Sequence, residues 1–267
     1  MTPPPQPTQL NGQLVTLEPL GTHDAAALLP SASDPEVWRW KLVPRPTSLA
    51  DMEHLISQLL LGPGRWPFTI SRRTDGQVIG STTLANFDWH HRSVEMGFTW
   101  LDRSAWGQGY NEDSKLLLLS ECFDDLELQR VEWQVDSQNT RSVAALTRLG
   151  FHHEGTLRSR HVRPDGTRRD SHYFSVLRRE WPACRARLVE QIHQRAATAA
   201  QPDLAPSDSP LTPDGVPNVL FEAADVDPAF GASREVIPCS GPGGVRVRCP
   251  KMGQEDSTYD QASAAHA

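Results

Sequence analysis

The spacing of apolar positions along this chain changes repeatedly, and each spacing predicts a different element. Between 49 and 60 apolar side chains recur every three or four positions, which predicts an amphipathic helix. Ser48 and Asp51 fit the capping box that starts such a helix, and the glycine-proline-glycine segment at 62–64 ends it. The pattern therefore gives both the length and the boundaries of this helix.

Shorter runs with alternating or β-branched side chains predict strands on both sides of this helix. These runs lie at 14–17, 67–73, 77–85, 93–101, 130–135, 151–162 and 167–176. The turn residues at 74–76 (TDG) and 164–166 (PDG) each separate two neighbouring runs. Such turns join antiparallel strands, so the pattern predicts hairpins at both places.

Four further helices complete the predicted order, and one of them opens from the loop at 105–109 and ends near Asp124. A helix over 20–29 is capped by Thr22 or Asp24, one over 140–149 is closed by Gly150, and a last helix begins near Pro182. Hairpins mixed with helical crossovers predict an α+β fold with a mixed, mostly antiparallel central sheet flanked by helices.

The C-terminal part of the chain differs in composition from the rest. Residues 197–267 hold nine of the 22 prolines and ten acidic against four basic side chains, so −6 of the net charge of −7 falls there. A segment without periodic apolar positions cannot offset the entropy of ordering. We predict a disordered N-terminus over 1–9, a folded domain over 10–196 and an acidic, Pro-rich, disordered tail over 197–267. Within the tail, the run at 220–230 (LFEAADVDPAF) is a candidate docking segment for a partner.

Several classes of protein are not expected from this sequence. No apolar run reaches the roughly 20 residues that cross a bilayer, and the start MTPPPQPTQ has no signal-peptide core. The four cysteines are too few and too scattered for a disulfide framework, and no CxxC pair indicates a zinc site. They are Cys122, Cys184, Cys239 and Cys249. His90-His91 and His152-His153 each lack a third partner at metal spacing. We expect a cytoplasmic protein with reduced thiols, without a metal and without a membrane partner.

The segment 105–119 (AWGQGYNEDSKLLLL) is a candidate binding site, because a bare loop opens directly into an apolar helix. Gly107 and Gly109 permit unusual dihedral angles and close approach of the backbone, and a helix N-terminus binds phosphate. A tight turn that binds nothing is the alternative. The Gly-Lys-Ser/Thr of a phosphate-binding Walker loop is missing, and Glu112 stands where a dinucleotide fingerprint requires its third glycine.

Four segments of the chain, taken in order, resemble the GNAT acyltransferase superfamily. They are SVEMGFTWL, WGQGYNEDSKLLLLSECF, RVEWQVDSQNTRSVAALTRLGF and EGTLRSRHVRPDGTRRDSHYFSVLRREW. Within the superfamily they are most similar to the branch that contains the RimJ/RimL ribosomal-protein N-acetyltransferases. The resemblance covers roughly residues 10–181 and does not extend to the tail.

This resemblance implies that acetyl-CoA is the co-substrate. The family loop, (Arg/Gln)-x-x-Gly-x-(Gly/Ala), cradles the pyrophosphate, and here Trp106, Gly109 and Asn111 take its first, fourth and sixth positions. The strand over 93–101 is implied to separate from its neighbour and to offer backbone groups to the pantetheine arm. Asn139 is either a helix N-cap, a pantetheine partner, or both. The implied cofactor-binding residues are Phe98, Trp100, Leu101, Trp106, Gly107, Gln108, Gly109, Tyr110, Asn111 and Asn139.

Acetyl transfer to an amine requires a neutral amine, a site for the oxyanion and a proton for the departing thiolate. Glu95 is the candidate base, because its position matches a glutamate found in much of the family; an exposed strand glutamate without a role is the alternative. Many GNAT enzymes carry a tyrosine seven residues after the asparagine, where this chain has Leu146. The usual general acid is therefore missing, and Ser142 is the remaining candidate.

Three functions follow from these residues. The first is direct transfer of an acetyl group from acetyl-CoA to a primary amine, on a protein N-terminus or a small molecule. The second is a catalytically silent CoA-binding module whose tail recruits a partner. The third, nucleic-acid binding, is not expected, because the folded part is nearly neutral and no aromatic side chains alternate with the arginines of the last hairpin. We expect that hairpin to be solvated and to hold a coenzyme phosphate or an acidic acceptor. Its arginines are Arg158, Arg160, Arg163, Arg168 and Arg169.

Overall fold

The computed structural model describes residues 5–62 and 64–199, together with the pairs 238–239 and 247–248. The strands of the main sheet are β1 (Leu10–Asn11), β2 (Val15–Pro19), β3 (Trp66–Arg72), β4 (Val78–Asp88), β5 (Ser93–Leu101), β6 (Arg130–Asp136), β7 (His152–Val162) and β8 (Arg168–Leu177). The α-helices are α1 (Ala25–Leu28), α2 (Pro35–Trp38), α3 (Leu49–Leu60), α4 (Tyr110–Ser120), α5 (Thr140–Arg148) and α6 (Trp181–Ala199). Single 3₁₀ turns lie at Thr22–Asp24, Leu29–Ala32, Arg103–Ala105 and Arg178–Glu180, and a π-helical turn at Glu121–Asp125 follows α4.

The eight strands between Leu10 and Leu177 form one sheet in the order β1-β2-β3-β4-β5-β6-β8-β7. In this sheet β5 and β6 run parallel and the other neighbouring pairs run antiparallel. The predicted α+β class with a mixed, mostly antiparallel sheet is confirmed. The parallel pairing is short, because it joins only residues 93–95 to 130–132. Since β5 continues to Leu101, a gap opens between the two strands.

Two hydrophobic clusters attach the helices to this sheet. The larger cluster joins the sheet to α4, α5 and α6, and Phe68, Phe123 and Phe174 are almost fully buried within it. The smaller cluster joins α1, α2 and α3 to β5 through Trp38 and Trp100, whose ring centroids lie 5.4 Å apart. Trp100 therefore links this second cluster to the strand that borders the gap.

The cap of α3 and the glycines at the ends of β3 and α5 act as the sequence predicts. The Ser48 side chain accepts the Asp51 N–H at 3.1 Å, and the Asp51 carboxylate accepts the Ser48 N–H at 3.0 Å. Gly76, in the turn between β3 and β4, has φ +71°, and Gly150, after α5, has φ +80°. Glycine adopts this left-handed conformation without steric cost, so both elements end where the sequence predicts.

The first helical region differs from the single helix predicted over 20–29. It consists of a 3₁₀ turn, the four-residue α1 and a second 3₁₀ turn, because Pro30 cannot continue a regular helix. Thr22 caps nothing. The Asp24 carboxylate instead accepts the Gly21 N–H at 2.8 Å and the Thr69 hydroxyl at 3.1 Å.

The sequence analysis did not predict α2. Its start signals are nevertheless present, because the Asp34 side chain accepts the Glu36 N–H at 2.8 Å and Pro35 occupies the first helical position. Four residues are too few to show a helical period, so the pattern gave no sign of it.

The predicted disordered segments fall largely outside the described residues. Residues 1–4 and nearly all of the tail over 197–267, including the candidate docking segment, are among those not described, so these predictions stay untested. Within the tail the structure describes β9 (Pro238–Cys239) and β10 (Val247–Arg248), which pair antiparallel with each other. Across the described ranges no helix combines the length and the apolar character that crossing a membrane requires.

Candidate active site

A cleft of about 790 Å³ lies where β5 and β6 separate. On the other side of β5, β4 pairs with Gly97 and then with Trp100, so Phe98 and Thr99 form a bulge. Neither β4 nor β6 pairs with these two residues in register. The backbone at this point is therefore available to a ligand that lies along the strand.

The bulge is strained and is held by aromatic packing. Phe98 has φ +49°, which is unfavourable for a bulky side chain and costs about 1–3 kcal/mol. Its ring packs edge-on against Trp38 at 6.5 Å and Trp100 at 5.7 Å between centroids. These contacts offset the strain and fix the shape of β5 at the cleft.

The glycine loop before α4 closes one end of the cleft. Gly107 has φ +78°, and Gly109, the N-cap of α4, has φ +91°. Both angles lie where L side chains are disfavoured, so glycine lets the backbone turn directly into the helix. The first turn of α4 has N–H groups without intrahelical partners and the positive end of the helix dipole. This end of the cleft is therefore suited to an anion.

Cationic side chains surround this loop. Arg195 of α6 donates to the Gly107 carbonyl, and its Nη2 lies 3.4 Å from Glu112 Oε1. Lys115 donates to Asn111 Oδ1 at 2.8 Å, and burial lowers the pKa of Lys115 to about 8. The positive charge near α4 adds to the attraction that its N-terminus exerts on an anion.

Trp106 supports the same end of the cleft. The Cζ atoms of Arg141 and Arg103 lie 3.1 Å and 4.5 Å from its ring centroid, and its indole N–H donates to the Leu101 carbonyl at 3.0 Å. Burial and the nearby Arg103 lower the pKa of Arg141. The ring thus connects the end of β5 to the start of α5.

Glu95 lies at the point where β5 and β6 part. Its Oε2 accepts the Asn86 amide at 2.8 Å and the Gln134 amide at 3.2 Å. The Gln134 carbonyl oxygen in turn lies 3.1 Å from His161 Nε2, and burial with two nearby arginines lowers the pKa of His161. Between residues 5 and 199 no hydrogen bond to Glu95 Oε1 is formed, so one carboxylate oxygen remains available in the cleft.

Comparison with known proteins identifies the family of this chain. The family model for the acetyltransferase (GNAT) domain matches residues 15–152. The chain belongs to the GNAT family. It is 31% identical over 170 residues to the uncharacterized N-acetyltransferase p20 of Bacillus licheniformis, an alignment that covers 62% of this chain and 94% of that protein. Both matches support an N-acetyltransferase.

Solved structures agree with this assignment. A GCN5-related N-acetyltransferase from Brucella melitensis is 26% identical with a TM-score of 0.67, covering 70% of this chain and 86% of that one. Mycobacterium smegmatis RimJ, in complex with CoA-disulfide, is 26% identical with a TM-score of 0.57, covering 68% and 92%. The resemblance to the RimJ-containing branch of the GNAT family is confirmed.

Most of the site residues predicted from the sequence lie together in the cleft wall. Glu95, Phe98, Trp100, Leu101, Trp106, Gly107, Gly109, Asn111, Asn139 and Ser142 line it. Gln108 and Tyr110 do not: Gln108 donates to the Ser104 carbonyl at 2.5 Å, and Tyr110 packs against the larger hydrophobic cluster. Their side chains therefore point away from the cleft.

The start of α5 provides another part of the wall. Asn139 Oδ1 accepts the Ser142 N–H at 3.2 Å, so Asn139 is the N-cap of α5. Among residues 5–199 its amide nitrogen donates no hydrogen bond, so it can serve another acceptor. Leu146, at the place of the usual GNAT tyrosine, lines the cleft and is buried. A leucine has no proton to give, so the wall at this point is chemically inert.

The structure adds polar residues that the sequence analysis missed: Lys41, Asn86, Lys115, Gln134, Asp136, Arg141, His161 and Arg169 all line the cleft. Lys41 follows α2, and its ammonium donates to the Thr99 carbonyl. Only Asn86 gave a local signal, since asparagine tolerates the left-handed conformation that it adopts here with φ +55°. The others meet only once the fold brings their elements together. Lys115, within the segment 105–119, and Arg141, two residues after Asn139, stand close to motif residues but match no motif position.

The expectation of a solvated arginine hairpin is corrected. Arg163 donates twice to Asp136, at 2.9 and 3.0 Å, and Arg169 Nε lies 3.8 Å from the same carboxylate. Both arginine side chains are largely buried beside Asp136. Their positive charges stabilise this carboxylate, because a buried charge without a partner would be costly. Arg158, Arg160 and Arg168 are exposed as expected.

The histidine pairs lie at the surface. His91 Nδ1 lies 2.8 Å from Asp88 Oδ2 in the turn before β5, and His153 Nε2 lies 3.2 Å from His172 Nδ1. Within the described part of the chain, no group of three or more His, Cys, Asp or Glu side chains is arranged to hold a metal ion.

Proposed function

We propose that this protein transfers an acetyl group from acetyl-CoA directly to a primary amine, on a protein N-terminus or a small molecule. One observation carries the proposal: Glu95, the unpaired backbone of β5 and the glycine loop of α4 all face one cleft. A base, an oxyanion site and a phosphate site are the parts that this reaction requires.

Acetyl-CoA fits the polar groups of this cleft. The loop at 106–111 and the start of α4 receive the pyrophosphate, with Lys115 and Arg141 nearby to balance its charge. The backbone of 98–101 and the free amide nitrogen of Asn139 serve the pantetheine arm. RimJ, which has been solved with CoA-disulfide, supports this choice of ligand.

Glu95 then removes a proton from the amine, directly or through a water molecule. The two amide donors on Oε2 orient the carboxylate, and Oε1 is left to accept the proton. An α-amine, with a pKa of about 8, loses its proton far more easily near neutral pH than a lysine at about 10.4. A protein N-terminus or another weakly basic amine is therefore the favoured acceptor.

A catalytically silent CoA-binding module is the second candidate. Leu146 favours it, because the residue that usually protonates the thiolate is replaced by an apolar side chain. The cleft would still bind CoA through the loop and β5.

Incubation with acetyl-CoA and a panel of amines separates the two candidates. The panel contains peptides with a free α-amine, the same peptides with only a lysine amine, and small primary amines, and free thiol is followed. We expect turnover with α-amines ahead of lysine amines. CoA binding by calorimetry without turnover on any amine would support the silent module instead.

A further inference from the structure

Lys41 is placed in the gap between β5 and β6 by one contact of its backbone and two contacts of its ammonium. Its backbone N–H donates to the Trp38 carbonyl at 2.9 Å, which anchors it to the end of α2. Its ammonium donates to the Thr99 carbonyl and lies 5.3 Å from the centroid of the Phe98 ring. The half-buried side chain therefore reaches from α2 across to the bulge of β5.

The Thr99 carbonyl is one of the backbone groups that the strand neighbours leave free. β4 pairs with the residues on either side of the bulge, and the pairing with β6 has already ended at Glu95. Under the proposed function, the thioester and the pantetheine arm lie along this unpaired segment. The ammonium of Lys41 is then beside the reacting sulfur.

The surroundings make this ammonium ready to release a proton. Burial, followed by the positive charges of Arg169 on β8, Arg141 on α5 and Lys115 on α4, lowers the pKa of Lys41 to about 7. A group with such a pKa exchanges its proton efficiently near neutral pH.

We propose that Lys41 is the general acid that protonates the departing CoA thiolate, in place of the tyrosine that Leu146 replaces. This inference rests on the proposed function. As the amine nitrogen forms its bond to the thioester carbon, the carbon–sulfur bond breaks and its electron pair goes to sulfur. The Lys41 ammonium gives its proton to that sulfur and becomes neutral. The proton that Glu95 has taken from the amine balances the one lost, and solvent restores both groups.

Ser142 is less suited to this task. Its backbone N–H is bound by the Asn139 cap, and its side chain offers only a neutral hydroxyl. A neutral hydroxyl is a far weaker acid than an ammonium with a depressed pKa.

The first test changes the leaving group. K41M should lower kcat with acetyl-CoA about a hundredfold or more. With the selenoester analogue, whose selenolate leaves without protonation, the loss should shrink to about tenfold or less, because a more acidic leaving group needs less help. K115M is the matched control, since Lys115 is also a buried lysine of the cleft with a lowered pKa. It should weaken donor binding equally for both esters.

K41R completes this series. An arginine keeps the positive charge but holds its proton, so kcat with acetyl-CoA should stay within about threefold of K41M. Full recovery in K41R, or an equal loss with both esters in K41M, would overturn the proposal. A rise only in the KM of the amine would show that Lys41 binds the acceptor, which also overturns it.

The second test does not depend on turnover. The thiol of bound CoA is titrated by its thiolate absorbance, with desulfo-CoA as the blank. A fixed positive charge beside the sulfur favours the thiolate, so the thiol pKa should be lower in K41R, whose guanidinium stays charged throughout the titration, than in K41M by about one unit or more. Equal thiol pKa values in these two folded, CoA-binding variants would contradict the placement of Lys41. If the wild type acetylates no amine, the proposed function fails, whereas normal wild-type turnover with an unaffected K41M rejects only the role of Lys41.

Discussion

Glu95 combines two fixed hydrogen bonds on one oxygen with a free second oxygen, which is the arrangement a general base needs. Asn86, which donates to it, adopts a left-handed conformation at an irregular position of β4, where the register shifts. Gln134 reaches it from β6. The carboxylate is therefore oriented by side chains on both neighbouring strands.

We predict that E95Q lowers kcat by about a hundredfold to ten-thousandfold, because the amide keeps the shape but cannot accept the proton. The ratio of wild-type to E95Q rates should fall as the pH rises, since the amine then loses its proton without help. The pH–rate profiles of both proteins measure this ratio. E132Q is the matched control, because Glu132 is the register partner of Glu95 on β6 but does not line the cleft. A pH-independent ratio would exclude Glu95 as the base.

The glycine loop gives a second prediction at this scale. A methyl group at Gly107 meets only the end of Arg195, at 3.9 Å, but φ +78° disfavours alanine by about 1–2 kcal/mol. G107A should therefore weaken CoA binding by disturbing the loop. G76A has a similar φ of +71° with nothing within 4 Å, so it bears the same backbone cost outside the site. Calorimetry that finds equal CoA affinity in both variants would argue against the loop as the phosphate site.

At the scale of elements, the start of β2 depends on a carboxylate from α4. Asp113 is almost fully buried, and its oxygens accept the N–H groups of Gln13, Leu14 and Val15 at 3.3, 2.7 and 2.9 Å. One side chain thus attaches the edge of the sheet to the helix that begins at the glycine loop.

D113A should destabilise the protein by about 3 kcal/mol or more, because it leaves several backbone donors without partners. Urea unfolding measures the change. D125A, an exposed aspartate just beyond the same helix, should leave the midpoint almost unchanged. A similar small effect in D113A would mean that water replaces the carboxylate at no cost.

Elements with local signals could be predicted from the sequence. The hairpin at 74–76 and the capped α3 have glycine or capping residues within a few positions of each boundary, and both form as expected. The interrupted helix after Gly21 and the short α2 were missed because their backbone is set by Pro30, Asp34 and contacts with the sheet. Each of these elements spans only about four residues, which is too short to show a helical period in the sequence.

The residues of the candidate site also divide into those with a local sequence signal and those without one. The loop at 106–111 is a continuous motif, so the sequence located it. Lys41 meets Thr99 across 58 positions and Gln134 meets Glu95 across 39, so those contacts exist only once the sheet has formed. Gln108 and Tyr110 belong to the motif, but their side chains turn away from the cleft, which depends on packing that the motif does not encode.

At the scale of the whole molecule, charge is distributed unevenly. The segment over 197–267 carries −6 of the net −7. Its composition predicts that it adds nothing to the folded core. Truncation after Ala200 should leave both the melting temperature and the acetylation rate unchanged, whereas a large fall in either would show that the tail is structural.

The measurement that tests the central claim most directly is the stoichiometry of transfer. Protein, acetyl-CoA and an α-amine peptide are mixed, and free thiol and acetylated peptide are quantified in the same sample by absorbance and mass spectrometry. We predict one acetylated amine for each thiol released, no thiol release without the peptide, and no acetyl group left on the protein. Thiol release without acetylated peptide, or CoA binding without either product, would contradict direct acetyl transfer.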